Sequence, residues 1–413
     1  MKIKIKWFVY LQIFLSVVLN YVTTTLKLPN FLLYIQDLIN ILLVLFFFKK
    51  IIKTICSKEY RSYFFVIGLL IVVLIIGDTI NGVNPFLVIW GVRNNFRFLI
   101  FWIICICSFN IQDEKRLFNL LNYIQIINFS LVIYQHFVLG LEQDLLGGIF
   151  GTQAGSNGRM NIFLCILLCY QTAQYMYKKC SIFSLLWIIV SSMIIAVYSE
   201  IKVLYIEIII ILLLTVIISR ASKRKILIVV AGALGLLLGL SVLKQFDPYT
   251  YSIITNFDNV VEYGNMESGG YNISRFSAFS TINNLFFKNN WIYNLFGFGL
   301  GSCDTSSFSI FNSSFYVNYG WLHYLWFSHQ IWFLETGYLG LGLILAFFFV
   351  FIYKAIKNRK KMLDGGRICV FTCTLVVMII INLWYNNSIR LENAYLTFAC
   401  LSFLPIFMKQ ENK

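Results

Sequence analysis

Charge is scarce in this chain: only 12% of its 413 residues are Asp, Glu, Lys or Arg, and the acids number 18 against 33 Lys+Arg. A soluble globular chain carries about 25% charged and about 45–50% apolar residues. With 59% hydrophobic residues and a mean hydropathy of +0.77, this one has too little polar surface to cover a body exposed to water, which excludes a cytosolic enzyme. Four Pro and 25 Gly exclude a collagen-like repeat, and the hydrophobicity excludes intrinsic disorder. Ten Cys are too sparse for a secreted disulfide scaffold. With three His, no Cys-x-x-Cys and no Asp-x-Asp pair, no metal site and no cofactor are expected. The class left over is an all-α polytopic membrane protein.

Crossing a hydrocarbon core takes roughly 17–25 apolar residues. Twelve segments qualify, near 7–22, 31–48, 62–80, 96–110, 117–139, 160–177, 182–199, 203–219, 226–243, 333–353, 367–386 and 392–408. They form a single transmembrane domain over 1–413, broken by one large loop, 244–332, between the ninth and tenth spans. Lys2, Lys4 and Lys6 precede the first span and no small-residue cleavage site follows, so the first helix is expected to be retained.

With the N-terminus cytoplasmic, 24 of the 33 Lys+Arg fall on inner segments, at 2–6, 49–61, 115–116, 178–179, 220–225, 354–367 and 409–413. That is the bias the positive-inside rule requires, and it puts both termini inside. It also accounts for the formal charge of +15, so no nucleic-acid partner is needed. Seven Cys lie in spans and Cys56 and Cys180 on the inner side; Cys303 alone is outside, so no outward disulfide is expected.

Nine cations remain on the outer side: Lys27, Arg93, Arg97, Arg159, Lys202, Lys244, Arg275, Lys288 and Arg390. The same rule disfavours them there, so each needs another reason. Arg93 and Arg97, four apart at the start of the fourth span, share a helical face. A guanidinium matches phosphate oxygens with a planar fork, so these cations read either as anion ligands or as partners of Glu200, Asp78 or Glu392. His136 reads as a packed or interfacial residue near the end of the fifth span. His323 and His329 lie in a stretch crowded with Tyr, Trp and Phe, which suits either a headgroup-level belt or a platform for sugar rings.

Four stretches, in order, resemble the bacterial O-antigen polymerase and O-antigen ligase superfamily, integral-membrane glycosyltransferases of GT-C type. The first is Gly151-Thr-Gln-Ala-Gly-Ser-Asn157-Gly-Arg159 ahead of a span, and the second is Ser199-Glu-Ile-Lys202 opening another. The third is Ser274-Arg275-Phe followed by Trp291 and Phe296-Gly-Phe-Gly-Leu-Gly301. The fourth is Ser328-His329-Gln330-Ile-Trp-Phe-Leu-Glu335-Thr-Gly337-Tyr-Leu-Gly340. The resemblance covers roughly residues 145–345 by motif and the whole chain by topology. Lys202 replaces the usual arginine, Ser274 stands where Gly is common, and the step from His329 to Gly337 is shorter than in the ligase pattern, which favours a repeat-unit polymerase.

The resemblance implies a GT-C-like fold and transfer of a glycan from polyprenyl diphosphate to an acceptor hydroxyl, at the outer face of a bacterial cytoplasmic membrane. The partners it implies are a polyprenyl-diphosphate-linked oligosaccharide, the lipid bilayer and a chain-length regulator. On this reading Arg275 is the chief stabiliser of the leaving diphosphate, and Arg159, Arg93, Arg97 and Lys202 assist it. His329 accepts the hydroxyl proton and Glu335 orients it or caps the tenth span. Asn157, Gly299, Gly301 and His323 complete the substrate contacts, with the Gly297–Gly301 series either approaching the diphosphate or serving as a hinge. The rival readings are a ligase-type glycosyltransferase and a polysaccharide flippase; a transporter would place charge at mid-membrane, where only Asp37 and Glu207 fall.

Overall fold

A computed structural model of the chain describes residues 2–220, 224–228, 232, 240–241, 244–245, 248–265, 272–360 and 365–411. Among them there is no strand. The helices are α1 (Lys2–Thr24), α2 (Ile35–Ile55), α3 (Arg61–Asn81), α4 (Pro85–Ser108), α5 (Ile111–Phe137), α6 (Ser156–Met176), α7 (Ile182–Tyr198) and α8 (Lys202–Ile218). The large loop holds the short helices α9 (Pro248–Thr255), α10 (Phe257–Asn265), α11 (Ala278–Ile282), α12 (Trp291–Phe296) and α13 (Ser314–Tyr319). After it come α14 (Ser328–Asn358), α15 (Gly366–Tyr385), α16 (Ala394–Leu401) and α17 (Phe403–Glu411).

Among the described residues seven helices, α1 to α5, α14 and α15, are long and apolar enough to cross a bilayer. The protein is an α-helical multi-pass membrane protein. Their outer faces carry apolar side chains such as Leu45, Phe65 and Ile75, all well exposed, as a helix facing lipid requires. The expected ninth span, 226–243, lies largely outside the described residues. The expected twelfth is broken into α16 and α17, because Pro405 has no N–H to offer the carbonyl of Leu401.

Several boundaries move for local reasons. Asn84 caps the N–H of Phe86 at 2.9 Å with Pro85 in the first turn, so α4 starts eleven residues before the apolar run at 96. Arg93 and Arg97 therefore sit well inside a helix and not at its start. A capping box starts α5: Asn110 Oδ1 accepts from the N–H of Asp113 at 3.3 Å, and Asp113 Oδ2 accepts from the N–H of Asn110 at 2.7 Å.

The helix at the centre is α6. Every residue of it except Arg159 is buried, against α7, α8, α15 and the turn Gly148–Phe150. At 21 residues it is about 30 Å long. It carries Asn161, Gln171, Thr172 and Gln174, which protein neighbours and not lipid must satisfy. Glu207 of α8 illustrates this: its carboxyl accepts from Asn161 Nδ2 at 2.9 Å and from Asn382 Nδ2 at 2.7 Å.

The basic ends of the helices meet on one side of the bundle. There Lys6 pairs with Asp113, Lys354 Nζ donates to the carbonyl of Glu59 at 2.7 Å, and Arg367 forks onto Glu114. The loops 138–155, 272–327 and 386–393 come together at the other end.

α14 bends at Gly337, which has φ 61° and ψ −164°. A Cβ there would meet the backbone carbon of Leu295 at 2.4 Å. The bend withdraws helical donors from the carbonyls before it, and the glycine-rich loop replaces them. The N–H of Phe298 donates to Leu334 O at 2.8 Å and that of Gly299 to Glu335 O at 3.0 Å.

Candidate functional site

A cavity of about 720 Å³ opens at the loop end. The first turn of α6 supplies Asn157, Gly158 and Arg159, the loop before it Asp144, and the large loop Tyr263, Asn272, Arg275, Trp326 and Phe327. Tyr385 at the end of α15 and the following Asn386, Asn387 and Ser388 close it. Arg159 and Arg275, 116 positions apart in the chain, thus share one chamber.

Arg275 is held by aromatic faces. Its guanidinium carbon lies 4.6 Å from the ring centre of Phe327, 5.3 Å from that of Tyr263 and 5.5 Å from that of Tyr385. Among the described residues no carboxylate pairs with it, and its Nε is buried without a hydrogen-bond partner. A guanidinium held by rings at a cavity wall, with no carboxylate beside it among the described residues, is suited to an anion.

The segment carrying Arg275 is fixed by the first turn of α14. Gln330 Nε2 donates to the carbonyls of Ile273 and Ser274, both at 3.0 Å. His329 Nε2 lies 3.1 Å from the carbonyl of Arg275, and its Nδ1 3.1 Å from that of Leu383. Ser328 Oγ reaches Asn387 Oδ1 at 3.1 Å and Asn386 O at 3.2 Å. Ser328, His329 and Gln330 therefore tie together two cavity-lining loops. His329 is fully buried and stacks on Trp384 at 5.1 Å. Both ring nitrogens face backbone carbonyls and neither reaches the cavity, so the expected general base holds Arg275 in place.

The other arginines form a chain of ion pairs. Arg93 reaches Asp37 at 2.5 Å, Asp37 reaches Arg97 at 3.4 Å, Arg97 reaches Glu392 at 3.4 Å, and Glu392 reaches Arg159 at 3.5 Å. A branch runs from Arg93 through Asn94 to Asp304, which pairs with Arg390 at 2.9 Å. Burial alone would raise the Glu392 carboxyl, but the guanidiniums of Arg97 and Arg159 bring it below the ordinary carboxylate range. Of this chain only Arg159 lines the cavity; Arg93 and Arg97 are buttresses behind it.

The remaining expected residues divide between the cavity and its supports. Asn157 lines the chamber and donates from Nδ2 to Asp144 Oδ1 at 2.6 Å and to Ser199 O at 3.0 Å. Lys202 sits 5.2 Å from the ring centre of Tyr263, on the ring Arg275 also contacts, and pairs with Glu200 at 3.8 Å. His323 is exposed and stacks on the cavity residue Trp326 at 4.1 Å. Gly299 and Gly301 do not face the chamber: Cβ atoms there would meet Val83 at 2.4 Å and the carbonyl of Leu87 at 1.9 Å, so they seat the loop against α3 and α4. Glu335 is buried beside that loop, accepting from the N–H of Cys303 at 3.3 Å, and makes no contact with His329. Burial pushes the neighbouring Cys303 thiol far up.

Sequence reasoning missed Asp144, Tyr385, Asn386 and Asn387 as lining residues and Asp37 and Asp304 as bridges. The Tyr385-Asn386-Asn387 run, abruptly polar after an apolar span, was the available signal. No family model matches the chain, and no curated protein matches it.

Proposed function

We propose that this protein is a polysaccharide repeat-unit polymerase. It would transfer a polyprenyl-diphosphate-linked glycan onto a lipid-linked acceptor sugar, at the outer face of a bacterial cytoplasmic membrane in which both termini are cytoplasmic. The twelve-span, GT-C-like architecture belongs to this proposal. The observation that carries it is the pairing of Arg159 and Arg275 in one chamber lined with aromatic rings and amides.

In this reading the acceptor oxygen bonds to the anomeric carbon as the bond from that carbon to the diphosphate breaks, and the electron pair leaves with the lipid diphosphate. Negative charge grows on the leaving group, and guanidiniums already fixed in place stabilise it more than they stabilise the bound substrate. Tyr263, Trp326, Phe327 and Tyr385 offer faces for sugar rings, and the amides of Asn157, Asn386 and Asn387, bonded to protein groups, hold the chamber wall in shape. Arg93, Arg97, Gln330 and His329 hold the two cavity arginines and their loops.

The test is reconstitution of the purified protein with the polyprenyl-diphosphate oligosaccharide that accumulates in cells lacking it. A ladder of longer lipid-linked products without added metal is expected from wild type and none from Arg275→Ala at equal protein level. Transfer to a different, non-polyprenyl acceptor would instead make the protein a ligase-type glycosyltransferase. Lipid movement across vesicles without bond formation would make it a flippase.

A further inference from the structure

A glycosyl transfer needs an acceptor for the hydroxyl proton, and neither nitrogen of His329 is open to the chamber. Among the described residues that line the cavity, one carboxylate is present, that of Asp144. Resting on the polymerase reading above, we propose that Asp144 is the general base, taking the proton from the attacking sugar hydroxyl.

Asp144 lies in the turn Gln143–Leu145, directly before the glycines that lead into α6. Its Oδ1 accepts from Asn157 Nδ2 at 2.6 Å. The amide spends its second N–H on Ser199 O at 3.0 Å, so it cannot turn away and the carboxylate is held by one oxygen. Oδ2 has no protein partner among the described residues, and the side chain is exposed to the chamber. Gly158 and Arg159 follow Asn157 on the same helical turn, so the group that fixes the carboxylate and the cation that faces the leaving group share one rigid segment.

The step balances without a further reagent. The hydroxyl oxygen forms the new bond to the anomeric carbon, its proton passes to Oδ2, the old carbon–oxygen bond breaks, and its electrons depart with the diphosphate. The proton is then lost to the solvent that reaches the open chamber. The sequence pattern had given Asn157 a substrate contact of its own; the structure gives it a positioning role, with Asp144 as the catalytic residue it serves.

The test uses the full-length protein in lipid nanodiscs with the same polyprenyl-diphosphate oligosaccharide, measuring kcat and KM for Asp144→Asn and Asp144→Ala. Asparagine keeps an oxygen for the Asn157 amide but takes no proton. Its kcat is expected to fall about 10²–10⁴-fold, the usual worth of a general base, with KM near the wild-type value. Formate, a small carboxylate, is expected to restore part of the rate to Asp144→Ala and none to Asp144→Asn, whose side chain fills the space. A kcat for Asp144→Asn within threefold of wild type overturns the assignment. So does a loss in Asp144→Ala that formate leaves unchanged while KM rises in parallel, because that pattern belongs to a structural role. Failure of wild type itself to elongate the substrate defeats the polymerase reading instead, which keeps the two failures apart.

Discussion

Glu392 stands between Arg97 and Arg159, with one carboxylate oxygen 3.4 Å from the first guanidinium and the other 3.5 Å from the second. Both arginines are buried or nearly so, and the acid that neutralises them comes from the short turn before α16. The cavity cation Arg159 is thereby braced against the middle of α4. On the polymerase reading, a substrate anion approaching Arg159 would meet a guanidinium already tied to Glu392.

Replacing Glu392 by Gln leaves Arg159 without its carboxylate partner and Arg97 with Asp37 alone. Breaking a buried pair from one side costs about 3–5 kcal/mol, so a lowered melting temperature in detergent is expected, along with loss of polymer. An unchanged melting temperature would show that the bridge carries no weight.

The same group sets an acid limit on stability. Its folded-state carboxyl lies below the ordinary value of about 4.3, so its contribution is complete above that value and is lost as pH falls through the lower folded one. Melting curves recorded from pH 6 downward to about 3 should steepen in wild type more than in Glu392→Gln. Parallel curves for the two proteins would contradict the bridge.

His329 separates positioning from proton transfer. Glutamine keeps one N–H for the carbonyl of Arg275, whereas alanine keeps none. Polymerisation should fall in the order wild type, His329→Gln, His329→Ala, with the glutamine variant losing about tenfold or less. Equal losses of about 10³-fold in both variants would return the base to the imidazole.

Gly337→Ala places a methyl group against the backbone of Leu295 and forces a non-glycine residue to φ 61°. Strained backbone of this kind costs about 1–3 kcal/mol, and the clash adds to it. A melting temperature below that of Gly342→Ala, where the added methyl has open space, is the expected result.

Much of the fold was legible because lipid imposes a simple rule on length and apolarity, which α1 to α5, α14 and α15 obey. What escaped was set by local hydrogen bonds and by packing. The Asn84 and Asn110 caps lie outside the apolar runs they begin, so hydropathy alone placed Arg93 and Arg97 too near a helix end. Arg159 and Arg275 could be named from the scarcity of cations on one face. Their pairing in space depends on the Ser328-His329-Gln330 turn grasping residues 273–275 and 386–387, contacts between segments far apart in the chain. His329 reads as chemistry from the sequence because an imidazole near neutral pH suits proton transfer; only the fold shows that both its ring nitrogens face backbone carbonyls.

The amide-rich character of α6 bears on how the protein is made. Asn161, Gln171 and Gln174 make this helix a poor candidate to leave the translocation channel for lipid unaided. Gln171 and Gln174 find Asn122 and Glu114 on α5, made before it, whereas Asn161 finds Glu207 and Asn382, made after it. The inner half of that work can be done by α5 as α6 emerges, but the end of α6 that lines the cavity is completed only when the last third of the chain docks on it.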